Sequence, residues 1–570
     1  MTSKLLDDQL AQRQRYLSAI LESDSPRKLI IAGPGTGKTY TFGKVFEKLG
    51  SVDNLALTFN RKLVKDMKAE FGDVSEVKTF HAYCKMLLHQ AYGGFLLSPF
   101  LTQVVREDSR SLSRILTHFD LAFQTLDVES EEIRFYLKRG DYYDAVSFND
   151  SVYRVLQVAK KQTEFIPSYD QIVIDEFQDF NPMEVAFIDE LQKRGPILIV
   201  GDDDQAVYSQ RNSSPEYIRS KFMSGDYDTF ELPFCSRCPR VVVEATSSFI
   251  EAIVAADGLV ERVDRPFVPY LEDKTYENET YPKIISANAS TIATMAKLVL
   301  LGIQRIPEDD IAEAHSQGYP CVLVVGQRQY LNPINKRLAR EYDRVAFTQA
   351  YGREYVLADG YEILLTDSNS NLGWRIVAGA ELPQGELDTL IEESMDGIPM
   401  NNLLEAAYIR SHLEILEVLG KEELDVLDVK VLRERFSEDA GSLMDRFFPE
   451  EEVEEETDET QPSILLSSFE GCKGLSAGHV FIVGLNNYVM PQVDPAGEVS
   501  DIEISKFIVA MTRTRKLLYL LSNRSDYGPR SSRYDASMFI GMIPDEYRYD
   551  LGYVKSADAK ELIDGAWSPG

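Results

Sequence analysis

The chain has 570 residues, of which 44% are hydrophobic and 10% aromatic, an ordinary composition for a globular protein. At about 150 residues per domain, this length predicts roughly four domains. The composition excludes a wholly disordered chain, a collagen and a small disulfide scaffold. Five scattered cysteines indicate a reducing compartment. We expect a cytoplasmic protein without a membrane partner, because no apolar run has the length of a signal peptide or membrane span.

The net charge of −32 argues at first sight against a nucleic-acid partner. The acidic residues are, however, unevenly distributed along the chain. Residues 381–460 contain 25 acidic and 6 basic side chains and so carry −19 of the total. Because binding depends on local patches rather than on net charge, the acidity of one segment does not exclude a nucleic-acid ligand.

Apolar patterns, taken in chain order, predict an α/β fold built on parallel sheets. A helix is expected over residues 10–21, where apolar side chains recur at roughly helical spacing. Short apolar runs bounded by polar residues or glycine follow, as is typical of buried parallel strands. These runs are residues 29–32, 55–58, 172–174, 197–200, 322–325, 480–483 and 517–521. Helical patterns alternate with them, which favours sheets covered by helices.

Two stretches lack this alternation of strands and helices. Residues 92–165 and 384–462 have helical patterns with polar faces, and we expect both to be helical insertions in the α/β frame. The second stretch ends in a run, residues 450–459, in which eight of ten side chains are acidic. The simplest interpretation of this run is a solvated linker.

The sequence AGPGTGKT at residues 32–39 predicts a phosphate-binding loop between a strand and a helix. Glycines let the backbone turn tightly and direct several N–H groups at one anion, and the following helix adds its positive N-terminal end. Lys38 is placed to reach the β- and γ-phosphates, and the Thr39 hydroxyl to ligate Mg²⁺. Ala32 stands where the strict pattern has glycine, so the match is to a looser form. The alternative is a plain glycine turn.

Two carboxylates at the end of the predicted strand 172–174 supply the other half of a nucleotide site. Open α/β sheets bind their ligands at the carboxyl ends of strands. Asp175 is therefore expected to hold Mg²⁺, directly or through water, and Glu176 to orient and deprotonate an attacking water. The alternative is that both carboxylates begin a solvated loop.

Eight segments resemble, in order, the motifs of the UvrD/Rep/PcrA helicases of superfamily 1. They are the loop at 32–39, LALTFNRK at 55–62, TFHAYC at 79–84, DEFQD at 175–179, VGDDDQAVYSQR at 200–211, LPFCSRCP at 232–239, SSFEGCKGLSAGHVFIVGL at 467–485 and VAMTRTR at 509–515. The similarity extends from about residue 10 to residue 521. Eight segments in the right order are far more specific than any one of them.

This resemblance implies two RecA-like parallel-sheet domains that hold ATP and Mg²⁺ between them. Domain 1A would comprise residues 1–91 and 166–245, with the helical insertion 1B at 92–165. Domain 2A would comprise residues 246–383 and 463–570, with a reduced acidic insertion 2B and its linker at 384–462. The small, negative insertion would repel duplex DNA or bind a basic partner protein.

The resemblance also implies roles for residues at the nucleotide. Gln205 resembles the glutamine that senses the γ-phosphate, and Arg237 and Arg513 resemble arginines directed at it. Guanidinium groups stabilise the charge that develops during phosphoryl transfer. Because Arg513 belongs to the second sheet, its contact requires the two domains to close. The implied catalytic residues are Lys38, Glu176, Gln205, Arg237 and Arg513, and the metal ligands are Thr39 and Asp175.

The implied nucleotide contacts include the phosphate-binding loop and a residue that reads adenine. Gln14 resembles that adenine-reading glutamine, although Gln9 and Gln12 are near enough to be alternatives. The full set of implied contacts is Gln14, Ala32, Gly33, Pro34, Gly35, Thr36, Gly37, Lys38, Thr39, Tyr40 and Gly474.

Contacts with single-stranded DNA are implied for a second group of residues. They are Thr58, Phe59, Asn60, Thr79, His81, Tyr208 and Arg211. Phe59 and Tyr208 each offer a face on which a base can stack. Taken alone, Phe59 at a strand end would more often belong to a core, and His81 would more often be a structural hydrogen-bonding residue. Only the order of the motifs reverses these expectations.

Several positions depart from the pattern of the family. The departures are Gln210 in place of an aromatic, Ser236 in place of an adenine-stacking tyrosine, Glu470 in place of a histidine and Ser476 in place of a glutamate. A carboxylate facing a DNA phosphate would be repelled, so Glu470 is expected to point elsewhere. Cys235 and Cys238 form a CxxC without a second pair, which favours a structural role over half a zinc site.

The leading hypothesis is an ATP-dependent helicase or translocase that moves 3′ to 5′ on single-stranded or tailed duplex DNA, as the resemblance implies. The acidic balance, the reduced insertion and Gln210 leave a second hypothesis open. In that one, the chain is an ATP-gated, DNA-binding regulatory subunit of a nuclease or of a defence or repair complex. A small-molecule P-loop kinase is not supported by the arginines or by the length.

Overall fold

The short apolar runs of the sequence form strands of two parallel sheets, which confirms the predicted α/β fold. The structure is a computed structural model. It describes residues 3–59, 61–270, 274–348, 353–422, 424, 426–436, 440–448, 460–526 and 533–567. The acidic run at 450–459 and Asn60 lie outside these ranges. None of the helices within them is long and apolar enough to cross a membrane.

The first sheet has six strands in the order β3-β2-β6-β7-β1-β8, all parallel. Its strands are β1 (Arg27–Ala32), β2 (Asn54–Thr58), β3 (Glu76–Thr79), β6 (Gln171–Ile174), β7 (Ile197–Gly201) and β8 (Asp228–Leu232). Two short pairs lie outside the large sheets. They are β4 (Leu96–Leu97) with β5 (Ala145–Val146), and β9 (Phe234–Cys235) with β10 (Val268–Pro269).

The second sheet has seven parallel strands in the order β13-β14-β12-β15-β16-β11-β17. Its strands are β11 (Ile284–Ala289), β12 (Val322–Val325), β13 (Val345–Phe347), β14 (Ile464–Ser467), β15 (Ala477–Val483), β16 (Thr514–Asn523) and β17 (Arg548–Val554). All seven predicted runs therefore lie in strands. Strand β17 is an edge strand, paired on one side only, with β11.

Helices cover both sheets. Those of the first sheet are α1 (Ser3–Glu22), α2 (Lys38–Leu49), α3 (Arg61–Phe71), α4 (Phe80–Tyr92), α9 (Pro182–Leu191) and α10 (Glu216–Met223). Those of the second are α11 (Arg240–Ala255), α12 (Thr275–Thr280), α13 (Ile292–Ile303), α14 (Glu308–Ser316), α15 (Arg328–Leu338), α23 (Asp501–Met511), α24 (Met538–Gly541) and α25 (Ala559–Trp567).

Strand β1 shows why these runs read as continuous apolar segments. Leu29 and Ile31 point into one core, whereas Ile30 and Ala32 pack on the opposite face with Phe42 of α2. All five side chains are fully buried. A parallel strand covered on both faces has no solvent-facing position, so its sequence does not alternate between apolar and polar residues.

Two groups of helices interrupt the α/β alternation. The first group is α5 (Leu101–Ser111), α6 (Phe119–Gln124), α7 (Glu131–Tyr143) and α8 (Phe148–Lys161). The second is α16 (Leu357–Thr366), α17 (Asn371–Glu381), α18 (Gln384–Ser394), α19 (Met400–Leu403), α20 (Ala406–Leu419), α21 (Val426–Phe436) and α22 (Ala440–Phe447). The second group thus begins at Leu357 rather than at residue 384, because α16 and α17 pack with these helices instead of on the second sheet.

A buried ionic cluster joins the two helical groups. The Asp108 carboxylate of α5 accepts hydrogen bonds from Arg139 Nε at 2.8 Å and from Arg375 Nε, on α17, at 2.9 Å. It also accepts one from the Tyr143 hydroxyl at 2.7 Å. Burial alone would raise the pKa of Asp108, but the two guanidinium groups lower it. A buried charge paired in this way stabilises the contact only while every partner is present.

Candidate nucleotide site between the two sheets

The phosphate-binding loop joins β1 to α2 and has two residues in the left-handed region. Gly35 and Gly37 have φ values of 70° and 87°. A Cβ on Gly35 would lie 2.4 Å from the Arg237 Cβ, so both the backbone angle and the space require glycine. The Thr36 hydroxyl donates to the Gly33 carbonyl at 2.9 Å. Helix α2 begins immediately after the turn, at Lys38, which directs its free N–H groups at the loop.

Lys38 and Glu176 form an ion pair at the centre of the site. Lys38 Nζ lies 2.9 Å from Glu176 Oε1. Burial alone would lower the pKa of Lys38, but Glu176 and then Asp175 hold it above its ordinary value. Burial likewise opposes ionisation of Glu176, whose pKa Lys38 and Lys473 nevertheless lower. Both groups are therefore charged at neutral pH, and each neutralises the other.

Asp175 has the properties of a metal ligand. It follows β6, is 1% exposed, and its Oδ1 has no hydrogen-bond partner within the described part of the chain. Burial, followed by the charge of Glu176, raises the pKa of Asp175 to about 7. An orphaned buried carboxylate oxygen is costly unless something fills its place, and oxygen is the ligand that Mg²⁺ prefers. Asp175 and Thr39, the second residue of α2, thus fit a Mg²⁺ ion.

Gln178 and Gln205 connect the carboxylates to the neighbouring strand β7. Gln178 Nε2 donates to Glu176 Oε2 at 2.6 Å, and its Oε1 accepts from the Asp202 N–H at 2.9 Å. Gln205 Nε2 donates to the Asp202 carboxylate. The sequence did not single out Gln178. It lies within the DEFQD segment, which was the available signal.

Arg513 reaches the first sheet from the second. It lies between α23 and β16, is 3% exposed, and donates from Nη2 to Gln205 Oε1 at 3.0 Å. Burial, followed by the charge of Arg237, lowers the pKa of Arg513 to about 10, so it stays cationic at neutral pH. Two guanidinium groups whose charges act on each other suit a polyanion between them. The Ser236 N–H also donates to the Gly35 carbonyl at 2.9 Å, which fixes Arg237 beside the loop.

Lys473 is a second link between the sheets, and the sequence reasoning missed it. Its Nζ lies 2.6 Å from Asp179 Oδ1 and donates to the Gln205 carbonyl at 2.6 Å. Burial raises the pKa of Asp179 to about 6 although Lys473 opposes the shift. The lysine immediately precedes Gly474, whose φ is 79°. Its position in the GCKGLS segment, beside a residue already singled out, was the signal available.

The carboxylates of Asp202, Asp203 and Asp204 lie within 4.8 Å of one another, a spacing that could hold a metal ion. Guanidinium groups occupy the cluster instead. Arg265 pairs with all three carboxylates, at 2.5 Å from Asp203 and 2.8 Å from Asp204. Arg262 donates to both oxygens of Asp204 at 2.9 Å. The cluster therefore ties residues 262–265 to the first sheet.

Around Phe59 the structure brings together several residues that were predicted to contact single-stranded DNA. The Phe59 ring is half-buried, with its centroid 4.4 Å from that of Phe180 and with the Arg211 guanidinium 4.5 Å from its centroid. Arg211 Nη2 also donates to Glu184 Oε1 at 3.3 Å. His81 Nε2 lies 3.4 Å from the same oxygen. Burial and then Arg211 lower the pKa of His81 to about 3, so the imidazole is neutral at physiological pH.

The other residues that were predicted to contact single-stranded DNA are more scattered. Thr58 is buried at the end of β2, and the Thr79 hydroxyl accepts the Ala82 N–H at 3.2 Å and so caps α4. Tyr208 is half-buried, with Lys473 Nζ 5.4 Å from its ring centroid. Its hydroxyl donates to the Glu470 carbonyl at 3.5 Å. Asn60 lies outside the described residues.

Gln14 is exposed on α1. The neighbouring candidate Gln9 instead donates from Nε2 to the Pro269 carbonyl at 3.1 Å. Tyr40 is 49% exposed, whereas Ala32 and Pro34 are buried. The loop is therefore packed against the protein, while the side chains of Gln14 and Tyr40 are open to solvent.

One departure from the family pattern and the CxxC have structural explanations. Glu470 Oε1 pairs with Lys506 Nζ at 2.8 Å, so its charge is neutralised within the chain. Burial would raise the pKa of Glu470, but Lys506 lowers it. Cys235 and Cys238 are buried free thiols, and Cys238 Sγ donates to the Thr512 carbonyl at 3.4 Å. That contact holds the CxxC segment against the turn after α23 and supports the structural interpretation of the CxxC.

The two parallel sheets, the phosphate-binding loop and the arginines beside it define the class: a P-loop protein with RecA-like α/β domains. A family profile described as an AAA domain matches residues 17–211. Within that class, the chain is similar to the UvrD/Rep/PcrA-like helicases of superfamily 1.

Curated relatives align with nearly the whole chain. A probable DNA helicase II homolog of Mycoplasma capricolum is 22% identical over 97% of this chain and 89% of its own length. DNA helicase II of Escherichia coli is 24% identical over 96% of this chain and 89% of its own length. The ATP-dependent DNA helicase PcrA of Staphylococcus epidermidis is 21% identical over 91% of this chain and 84% of its own length.

Proposed function

We propose that the protein is an ATP-dependent DNA helicase or translocase that moves 3′ to 5′ on single-stranded DNA. The observation that carries this proposal is the contact of Arg513, from the second sheet, with Gln205 of the first, close to the phosphate-binding loop. A site assembled from both sheets makes nucleotide hydrolysis sensitive to their relative position. The names of the aligned relatives support DNA as the substrate.

The chain's own groups account for binding of the triphosphate. The phosphates would lie on the N–H groups of residues 33–38, at the N-terminus of α2. Lys38 would exchange its ion pair with Glu176 for the β- and γ-phosphates. Bound Mg²⁺, held by Thr39 and Asp175, would neutralise charge on the phosphate oxygens.

The same exchange prepares the hydrolytic step. Once Lys38 moves to the phosphates, Glu176 loses its main counter-charge and becomes free to accept a proton from water. Gln178 keeps the carboxylate oriented through its hydrogen bond to Oε2. Arg237 and Arg513 would stabilise the charge that develops on the transferred phosphoryl group. Hydrolysis thus depends on residues of both sheets.

ATP hydrolysis would be coupled to movement of the DNA strand through the contacts that connect the two sheets. Lys473 and Arg513 both bind groups of the segment around Gln205, and Tyr208 lies three residues further along the chain. Opening or closing of the sheets at the nucleotide would therefore change the surface around Tyr208. The proposed DNA contacts at Phe59 and Arg211 belong to the first sheet alone. Relative motion of the two sheets would therefore shift the DNA strand between these contacts and the surface around Tyr208.

The proposed division into domains 1A, 1B, 2A and 2B follows this arrangement, with α16 and α17 assigned to 2B. We place the protein in the cytoplasm. The acidic second insertion is proposed to bind a basic partner protein or to repel duplex DNA.

The experiment that tests the proposal measures ATP hydrolysis and strand separation by the full chain. Hydrolysis should rise strongly with single-stranded DNA, and a duplex with a 3′ tail should be unwound in preference to a 5′-tailed one. Matched RNA substrates distinguish the two nucleic acids. Unwinding only after a partner is added would instead support the regulatory subunit. No stimulation by any single strand would contradict both.

A further inference from the structure

Tyr488 has an unusual backbone for a tyrosine. It lies in the turn after β15, with φ of 67°, in the left-handed region. Bulky L-residues are rarely found there because Cβ crowds the neighbouring carbonyl. The side chain is also 78% exposed, so packing does little to offset the strain. Strain of this kind concentrates at functional sites, and here it holds an aromatic ring in solvent.

The turn borders a cavity of about 210 Å³. Val489 and Met490, which follow Tyr488, line it together with Gln327, Phe469, Glu470 and Lys506. Gln327 Nε2 donates to the Val489 carbonyl at 3.0 Å, so the loop after β12 holds the turn in place. Met490 and Phe469 give the cavity an apolar wall, and the remaining side chains add a few polar groups. This combination suits a planar heteroaromatic ring.

A hydrogen bond links the lining of the cavity to Tyr208, which lies on the surface proposed to hold the DNA strand. The Tyr208 hydroxyl donates to the Glu470 carbonyl, and Glu470 lines the cavity. Tyr208 follows β7 of the first sheet and Tyr488 follows β15 of the second. Tyr208 thus contacts a residue that lines the cavity, and Tyr488 directly precedes one. Both lie beyond the carboxyl ends of parallel strands, where α/β sheets bind ligands.

We propose that Tyr488 is a base-stacking residue of the second sheet and that the adjoining cavity accepts an unstacked base of single-stranded DNA. This inference rests on the proposed function and adds a contact from a segment outside the strand contacts derived from the sequence. Base–aromatic stacking tolerates any sequence because every base has a π-face.

The test measures binding of a fluorescently labelled oligo-dT by anisotropy. Tyr488→Gly removes the ring and suits the left-handed backbone, so the thermal midpoint should stay the same or rise. Oligo-dT binding should weaken about tenfold, the size expected for one lost stacking contact. Tyr549→Ala is the matched control, because Tyr549 is 46% exposed on the edge strand β17. Its binding should equal that of the wild type.

A tryptophan variant reports stacking directly. The chain has two tryptophans, of which Trp374 is 1% exposed and Trp567 is packed against the core of the second sheet. Tyr488→Trp should retain wild-type affinity, and its new exposed indole should be quenched when unlabelled oligo-dT binds. Equal binding by wild type and Tyr488→Gly, or an unquenched Tyr488→Trp that still binds, would overturn the inference.

The two proposals fail in distinguishable ways. If wild-type hydrolysis rises with single-stranded DNA while Tyr488→Gly binds normally, only the role of Tyr488 is overturned. If the wild type neither binds oligo-dT nor hydrolyses ATP faster in its presence, the proposed function fails and this inference fails with it.

Discussion

The nucleotide side and the strand side of the molecule use loops at the same ends of parallel strands but hold their residues differently. At the nucleotide, buried ion pairs and hydrogen bonds connect both sheets, as in the contacts of Lys473 and Arg513 with the segment around Gln205. On the strand side, Phe59, His81 and Arg211 cluster within the first sheet through ring packing and a weak ion pair. Stabilising the charge that develops during phosphoryl transfer requires preorganised groups, whereas base stacking requires accessible faces of aromatic rings.

Lys38→Ala is expected to have the largest effect, because it removes the charge that binds the phosphates and controls Glu176. ATP turnover should fall by at least about 1,000-fold, the scale of losing one preorganised stabilising group. The thermal midpoint and circular dichroism show whether the fold is intact. Lys44→Ala, on the same helix and paired with Glu47 at the surface, is the control and should hydrolyse ATP normally.

Arg513→Ala tests whether the nucleotide side requires both sheets. Turnover should fall about 1,000-fold, with a much smaller loss of nucleotide affinity, because the guanidinium acts on the transferred phosphoryl group. Steady-state hydrolysis and equilibrium binding of a fluorescent nucleotide measure the two quantities. Arg305→Ala, an exposed arginine in the turn after α13 that pairs with Asp564, is the control. An unchanged rate in Arg513→Ala would refute the closure argument.

The pKa of Asp175 predicts a pH dependence on the nucleotide side. Since burial and Glu176 raise this pKa to about 7, protonation below pH 7 competes with Mg²⁺ for the carboxylate. The Mg²⁺ concentration for half-maximal turnover should rise about tenfold for each unit below pH 7 and level off above it. A pH-independent Mg²⁺ requirement would argue against Asp175 as a ligand.

Phe59→Leu should have the smallest effect of these variants, and it tests whether Phe59 contacts DNA or only packs in the core. Leucine keeps most of the packing against Phe180, so the free energy of unfolding should fall by less than about 1.5 kcal/mol. Loss of the ring face should weaken oligo-dT binding about fivefold, the lower end for a stacking contact. Urea unfolding and anisotropy measure the two quantities. A stability loss with unchanged binding would make Phe59 a core residue only.

Several features of the fold and the site could be predicted from the sequence because their causes are local. Runs such as 322–325 are apolar throughout because both faces of the strand are covered, and the glycines at 35 and 37 are required by backbone geometry. Gln178 and Lys473 were not singled out, since their partners lie on other strands or on the other sheet. The helices α16 and α17 fall within the range that the resemblance implied for domain 2A, and a sequence pattern alone does not specify the packing partner of a helix.

The sequence by itself determined the parallel strands, the phosphate-binding turn and the carboxylates at a strand end, because these depend on side-chain polarity and backbone freedom over a few residues. Only the tertiary structure decided which groups meet. The pairing of Lys38 with Glu176, the contact of Arg513 with Gln205 and the exposed ring of Tyr488 result from packing between segments far apart in the chain. Local sequence patterns do not specify which distant segments pack together, so the burial and charge of these groups follow from the fold.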